Sequence, residues 1–228
     1  MIEIEQRGDI RIVRWDDGEN RVNLESTTEW HAALDQLEEI EGPLAVVVTG
    51  TGKFFSNGLD LDRFVTVPEE SGPTIELLNS LFGRLLLFPA YVVGALNGHA
   101  FAAGAMISCC FDARVMRNDR GYWCLPEVDL GLPLSDAMTA VVTARIPMEA
   151  AQDAMLTGRR YTAEEAQALG IVTDTSDEER LLDVAIDLAA PIAGKDRRVI
   201  GEHKRLLFGA AAKLCGVEPT GARLGELG

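Results

Sequence analysis

Residues 44–49 read Leu-Ala-Val-Val-Val-Thr, apolar almost throughout and rich in β-branched side chains. A strand with one wet face alternates apolar and polar residues, so this run belongs to a strand hidden on both faces. That requires helices above and below a sheet, the α/β arrangement. Residues 91–95, Tyr-Val-Val-Gly-Ala, form a second such run. Between the two, Leu77, Leu78, Leu81, Phe82, Leu85 and Leu86 recur at helical spacing, with Pro73 at the first turn and Pro89 as the stop. Strand–helix alternation of this kind fills roughly the first 130 residues, and helices fill the rest.

Ile2–Gln6 and Ile10–Trp15 alternate in polarity around Arg7-Gly8-Asp9 and predict a β-hairpin. Asp16–Asn20 reads as a polar turn. Ser26-Thr27-Thr28-Glu29 has capping-box spacing and opens a helix that buries Trp30, Ala33, Leu34 and Leu37. Val65–Gly72, with Pro68 and two glutamates, reads as a mobile loop. Short strands are expected at Phe111–Met116, Tyr122–Cys124 and Ile171–Thr173. Helices are expected over 135–145, 147–156, 177–190 and 195–208, with Pro191 between the last two and a capping box at Thr162–Glu165. The division is a core over 1–190 and a C-terminal helical region with a frayed tail over 191–228.

Charge and motifs remove several function classes. A net charge of −15 argues against nucleic acid and anionic membranes as partners. The N-terminus is acidic and strand-like, not a signal peptide, and no apolar run reaches membrane-spanning length, so a cytoplasmic location is expected. Cys109, Cys110, Cys124 and Cys215 form no C-x-x-C, and His31, His99 and His203 are scattered. No metal site and no cofactor are expected. Neither phosphate-loop nor dinucleotide fingerprints occur, and no G-x-S-x-G elbow.

Chemistry concentrates in residues 91–134. Asn97-Gly98 breaks the second apolar run, and Ala100-Phe101-Ala102-Ala103-Gly104-Ala105 places small residues where a helix begins. Helix starts present unpaired N–H groups, and small side chains let a ligand approach them. Glu127 follows in the apolar setting Leu-Pro-Glu-Val-Asp-Leu-Gly. A polarising backbone site with one poorly solvated carboxylate suits proton transfer beside a carbonyl. The same residues also fit a Gly/Ala helix packed on a strand with an exposed loop acid. His99 reads as a backbone-bonded structural histidine, and Cys109 and Cys110 as packing residues.

Four segments in register resemble the crotonase (enoyl-CoA hydratase/isomerase) superfamily. Phe55–Leu61 (FSNGLDL) resembles its F-S-x-G-x-D-[LI] loop, and Asn97–Ala105 (NGHAFAAGA) its N-G-x-A-x-G-G-G turn. Pro126–Gly131 (PEVDLG) resembles its P-E-x-x-x-G segment, and Thr157–Ala166 (TGRRYTAEEA) its T-G-x-x-[FY]-[ST]-A-x-E-A motif. The resemblance implies a ββα spiral core with a C-terminal helical region, assembled as homotrimers or hexamers, and an acyl-CoA thioester as substrate. It assigns the backbone N–H groups of Leu59 and Ala103 to an oxyanion hole and Glu127 to acid/base catalysis. Substrate or CoA contacts would come from Arg21, Ser56, Asn57, Gly58, Asp60 and Leu132. Lys53, Arg63, Lys204 and Arg205 are further candidates for the CoA phosphates, and Phe54, Phe55, Phe64 and Phe82 for the acyl pocket.

Hydratases of the superfamily carry a second glutamate at the position of Met106. One carboxylate alone suits Δ3,Δ2-enoyl-CoA isomerisation, and the chain resembles the short isomerases of plants most. A non-catalytic acyl-CoA-binding paralogue and an acyl-CoA hydrolase are the rival expectations. So is a dienoyl-CoA isomerase, which would place an acid near Ser135 or Asp136.

Overall fold

A computed structural model describes residues 1–220 of the 228. The chain opens with β1 (Ile2–Arg7), β2 (Ile10–Trp15) and β3 (Arg21–Val22), then α1 (Leu24–Glu38). Next come β4 (Ala45–Gly50), β5 (Phe54–Ser56), β6 (Gly58–Leu59), α2 (Leu61–Thr66) and, after a 3-10 turn at Pro68–Glu70, α3 (Ser71–Leu87). The middle holds β7 (Tyr91–Leu96), β8 (His99–Phe101), α4 (Ala103–Cys109), β9 (Ala113–Arg117), β10 (Trp123–Cys124) and α5 (Glu127–Leu130). The rest is α6 (Asp136–Arg145), α7 (Met148–Thr157), α8 (Ala163–Ala168), β11 (Asp174–Ser176), α9 (Leu181–Ala193) and α10 (Arg197–Leu214).

The main sheet has the order β1-β2-β4-β7-β9-β11. Only the β1–β2 hairpin is antiparallel; every other pairing is parallel. Successive side chains of a strand face opposite sides. Val46 and Val48 therefore join one core with α1 and α3, while Ala45 and Val47 join another under α9. The all-apolar run is thus buried twice over. A second parallel sheet, β10-β8-β5, and the pair β3-β6 stand beside the main sheet. Each passes the chain from a main strand to a short outer strand and then a helix, which is the ββα spiral.

Several boundaries differ from the sequence expectation. Helix α1 starts earlier, with Asn23 as its cap: Asn23 Oδ1 accepts the Ser26 N–H and Ser26 Oγ accepts the Asn23 N–H. The expected loop 65–72 is mostly helical, tied by Arg63 to Glu70 at 2.7–2.8 Å. The third expected strand lies at β11, three residues later, because Ile171 and Val172 are buried in the main core instead. Pro191 sits inside α9, where only two helical residues follow it, so a division at 190/191 cuts through a helix packed on the main sheet. The start of the expected tail, Gly216–Thr220, is described; residues 221–228 lie outside the described part.

Candidate active site

Strands β5 and β6 are held by a residue the sequence offers only as part of a polar turn. Asn20 is fully buried at φ +51°, a left-handed conformation that Asn tolerates better than most residues. Its Nδ2 donates to the carbonyls of Trp15 (2.9 Å), Phe55 (3.1 Å) and Phe54 (3.4 Å). From the other side Asn97 Nδ2 donates to Phe54 O at 3.3 Å while its Oδ1 accepts the Gly50 N–H at 2.9 Å. Two amides thus fix the strand that leads to Gly58-Leu59. No periodicity marks Asn20; only its tolerance of positive φ hints at a special position.

Gly58 carries the chain against the start of α4. It has φ +82°, and a Cβ there would lie 2.7 Å from Ala102 Cβ and 3.3 Å from Ala103 N. Only glycine permits that approach. Ala102 itself sits at φ +50°, ψ −124°, a region L-residues rarely occupy. This turn points the chain into α4 with the N–H groups of its first turn next to Gly58. Ala102 N also donates to Cys124 O at 3.0 Å, and Ala100 N to Tyr122 O at 3.0 Å. The β8–β10 ladder therefore brings β10 alongside, and Glu127 follows three residues beyond Cys124.

Glu127 opens the single turn α5, capped by Gly131 at φ +68°. The side chain is half-buried, and among the described residues its Oε2 is enclosed with no hydrogen-bond partner. Burial pushes its pKa above the usual carboxylate range, opposed only by its own backbone N–H. The acids nearest in sequence do not share that setting. Asp129 is exposed and lies against Gly158, where an added Cβ would meet its Oδ2 at 2.8 Å. Asp136 is exposed, and Ser135 Oγ caps α6 by accepting the Met138 N–H. Met106, on α4, is 1% exposed in the core. Burial pushes the Cys124 thiol up to about 11, and Cys109 and Cys110 upward too, which removes thiolate chemistry at neutral pH. His99 Nδ1 accepts the Tyr122 N–H at 3.2 Å, and burial first, then Lys53, Arg160 and Arg120, hold its pKa down.

The remaining expected contacts divide. Leu132 is exposed beside the site, with its N–H on Glu127 O at 3.0 Å. Ser56 is fully buried with its hydroxyl engaged, so it cannot reach a ligand. Arg21 faces three carboxylates: Glu19 (2.8 Å), Asp62 (2.9 Å) and Asp60 (3.4 Å). Asn57 donates to Glu19 at 3.0 Å, and Asp60 caps α2 through the Arg63 N–H. Lys204 is buried on Asp112 at 2.5 Å, Arg205 pairs with Glu202, and Arg63 with Glu70, which leaves these cations committed within the chain. Phe55 and Phe82 are wholly core residues, Phe54 is 8% exposed, and Phe64 on α2 is half-buried. Cavities of about 500, 680 and 310 Å³ lie between α3 and α10, at the α9–α10 turn, and between α1 and α2. None of the three is lined by Glu127, Leu59 or Ala103.

A close pair of small-residue backbone turns with one enclosed carboxylate is the arrangement that the sequence motifs mark, and the sequence profile of one family, Enoyl-CoA hydratase/isomerase, matches residues 8–212. The chain belongs to this family, within the crotonase superfamily. It is 32% identical to a protein of Arabidopsis thaliana named "Enoyl-CoA delta isomerase 2, peroxisomal", over 95% of each chain. It is 35% identical to a "Putative enoyl-CoA hydratase" of Thermus thermophilus, over 91% of this chain and 83% of that one. The crystal structure of the Mycobacterium ulcerans enoyl-CoA hydratase EchA3 superimposes with a TM-score of 0.87 at 26% identity, covering 96% of both chains. An apo structure titled as a Mycobacterium tuberculosis enoyl-CoA isomerase gives 0.85 at 25% identity over 94% of both. The crotonase fold is therefore shown, and an acyl-CoA ligand is implied by the family. Among the described residues no group of His, Cys, Asp and Glu could hold a metal ion, and no helix is long and apolar enough to cross a membrane.

Proposed function

We propose that this enoyl-CoA hydratase/isomerase family member is a Δ3,Δ2-enoyl-CoA isomerase. Glu127 removes a proton from C2 of a 3-enoyl-CoA. The negative charge that develops on the thioester oxygen is held by the N–H groups of Leu59 and Ala103, each such donor being worth ~3 kcal/mol. Glu127 then returns the proton to C4, and the product is the conjugated 2-enoyl thioester. One observation carries this reading: the enclosed, unpartnered Oε2 of Glu127 on a chain with apolar Met106 where a hydratase of the superfamily carries its second glutamate. One carboxylate can shuttle one proton; adding water across a double bond calls for a base and an acid together. The isomerase name of the Arabidopsis relative supports the same choice.

The reading extends to a cytoplasmic homotrimer or hexamer. Val199, Leu206, Leu207 and Leu214 are exposed on α10, an apolar stripe that favours self-association. Replacing Glu127 by Gln should abolish conversion of 3-hexenoyl-CoA, at least 10³-fold being the order expected for loss of the sole base, while circular dichroism and CoA binding stay unchanged. Full activity in that variant would refute the assignment.

A further inference from the structure

Ser56 touches both halves of the proposed oxyanion site without reaching its surface. It is fully buried. On one side its Oγ accepts the Gly58 N–H at 3.3 Å, one residue before Leu59. On the other, Gly104, the residue after Ala103, packs so closely that a Cβ on Gly104 would lie 2.6 Å from Ser56 Cβ and 2.7 Å from its Oγ. The hydroxyl is anchored as well, donating to Asn20 O at 2.6 Å. Asn20 in turn is locked to the carbonyls of Trp15, Phe54 and Phe55. Main-chain groups of Asn20, Gly58 and Gly104 therefore close on Ser56.

We propose that Ser56 is a positioning residue whose small volume sets the separation between the Leu59 and Ala103 N–H donors. This rests on the proposed function, which makes those two groups the donors. The physical reason is close packing. A methyl in place of Oγ needs a carbon contact of about 3.5–4.0 Å where the N···O contact is 3.3 Å. The added bulk pushes Gly58 away from Gly104, and Leu59 moves with it. Substrate binding draws on the whole length of an acyl-CoA, whereas the donors act on the charge that develops at one oxygen. A wider gap should therefore lower kcat and spare KM.

The test compares Ser56→Ala, Ser56→Thr and Ser56→Val with the unaltered protein on 3-hexenoyl-CoA. Ser56→Ala should keep kcat within about threefold, although its melting temperature falls because Asn20 O and Gly58 N lose a partner. Ser56→Thr keeps the hydroxyl and adds a methyl; kcat should fall about 10-fold. Ser56→Val should fall about 100-fold, near the loss of one oxyanion donor. KM should stay within about threefold throughout, on the argument above. If Ser56→Val fails to fold, Ser56→Thr carries the comparison. A Thr variant with unaltered kcat, an Ala variant as impaired as Val, or a loss confined to KM would overturn the proposal alone. Absence of turnover in the unaltered protein would remove the proposed function, and this inference with it.

Discussion

Glu127 shows how one residue can be legible in identity and illegible in setting. Its apolar neighbours in sequence suggest poor solvation, but an exposed loop acid has the same neighbours. The deciding fact is that Oε2 is enclosed, which residues 125–130 do not reveal by themselves. The raised pKa has a consequence for rate. In the proposed reaction Glu127 must be ionised, so kcat/KM should fall on the acid side with a midpoint above the ordinary glutamate value of about 4.3; a midpoint at or below that value would mean a solvated carboxylate. The linked stability effect has a definite sign. The folded form holds the Glu127 proton more tightly than the unfolded chain, so stability falls as pH rises from the unfolded pKa through the folded one. In Glu127→Gln that fall should vanish. Ala102 carries a second residue-scale consequence. It occupies a glycine position of the family motif and is held at φ +50°. Relief of strain of about 1–3 kcal/mol should exceed the ~0.5–1 kcal/mol entropic cost of glycine. Ala102→Gly should therefore raise the melting temperature by about 2–4 °C in calorimetry.

At the scale of elements, strands and helices with strong periodicity were readable, and their ends were not. The two buried runs became β4 and β7, and the capping box at Thr162 opens α8 with both reciprocal bonds made. The start of α1 was misplaced because Asn23 and Ser26 both have capping chemistry, and the choice depends on which one the preceding strand delivers. Pro68 and Gly72 suggested a loop, yet the Arg63–Glu70 pair closes a helical corner there. Lys204 offers the sharpest case. In sequence it is a surface cation beside Arg205. In the fold its Nζ is 2.5 Å from Asp112 Oδ2 and donates to Ala90 O, joining α10 to the start of β7 and the start of β9. Asp112 Oδ2 also accepts the Val92 N–H at 2.8 Å. Removing one partner of a buried pair costs about 3–5 kcal/mol, and removing both by apolar groups far less. Urea unfolding should show Asp112→Asn and Lys204→Met each strongly destabilised, with the double variant closer to the unaltered protein than their sum. Additive losses would mean the pair is not coupled.

For the whole molecule, the order of elements predicts an α/β core; the structure has one, with its strands parallel beyond the β1–β2 hairpin. The hidden part was the short strands β5 and β8, which join the expected β10 in a second parallel sheet. They span three residues each, too short to leave a period in the sequence. The second sheet sets Ser56 and Gly58 against residues 102–104 and pairs Cys124 with Phe101, a meeting of segments marked in the sequence by the family motifs and not by patterning. In the proposed function Met106 and Glu127 decide the chemistry between them. The most direct measurement is to incubate the protein separately with 3-hexenoyl-CoA and 2-hexenoyl-CoA and identify the products by mass and absorbance. The single-carboxylate account predicts conversion of the 3-enoyl to the conjugated 2-enoyl thioester, with no 3-hydroxyacyl-CoA from either substrate. Hydration of 2-hexenoyl-CoA at a rate comparable to isomerisation would contradict it.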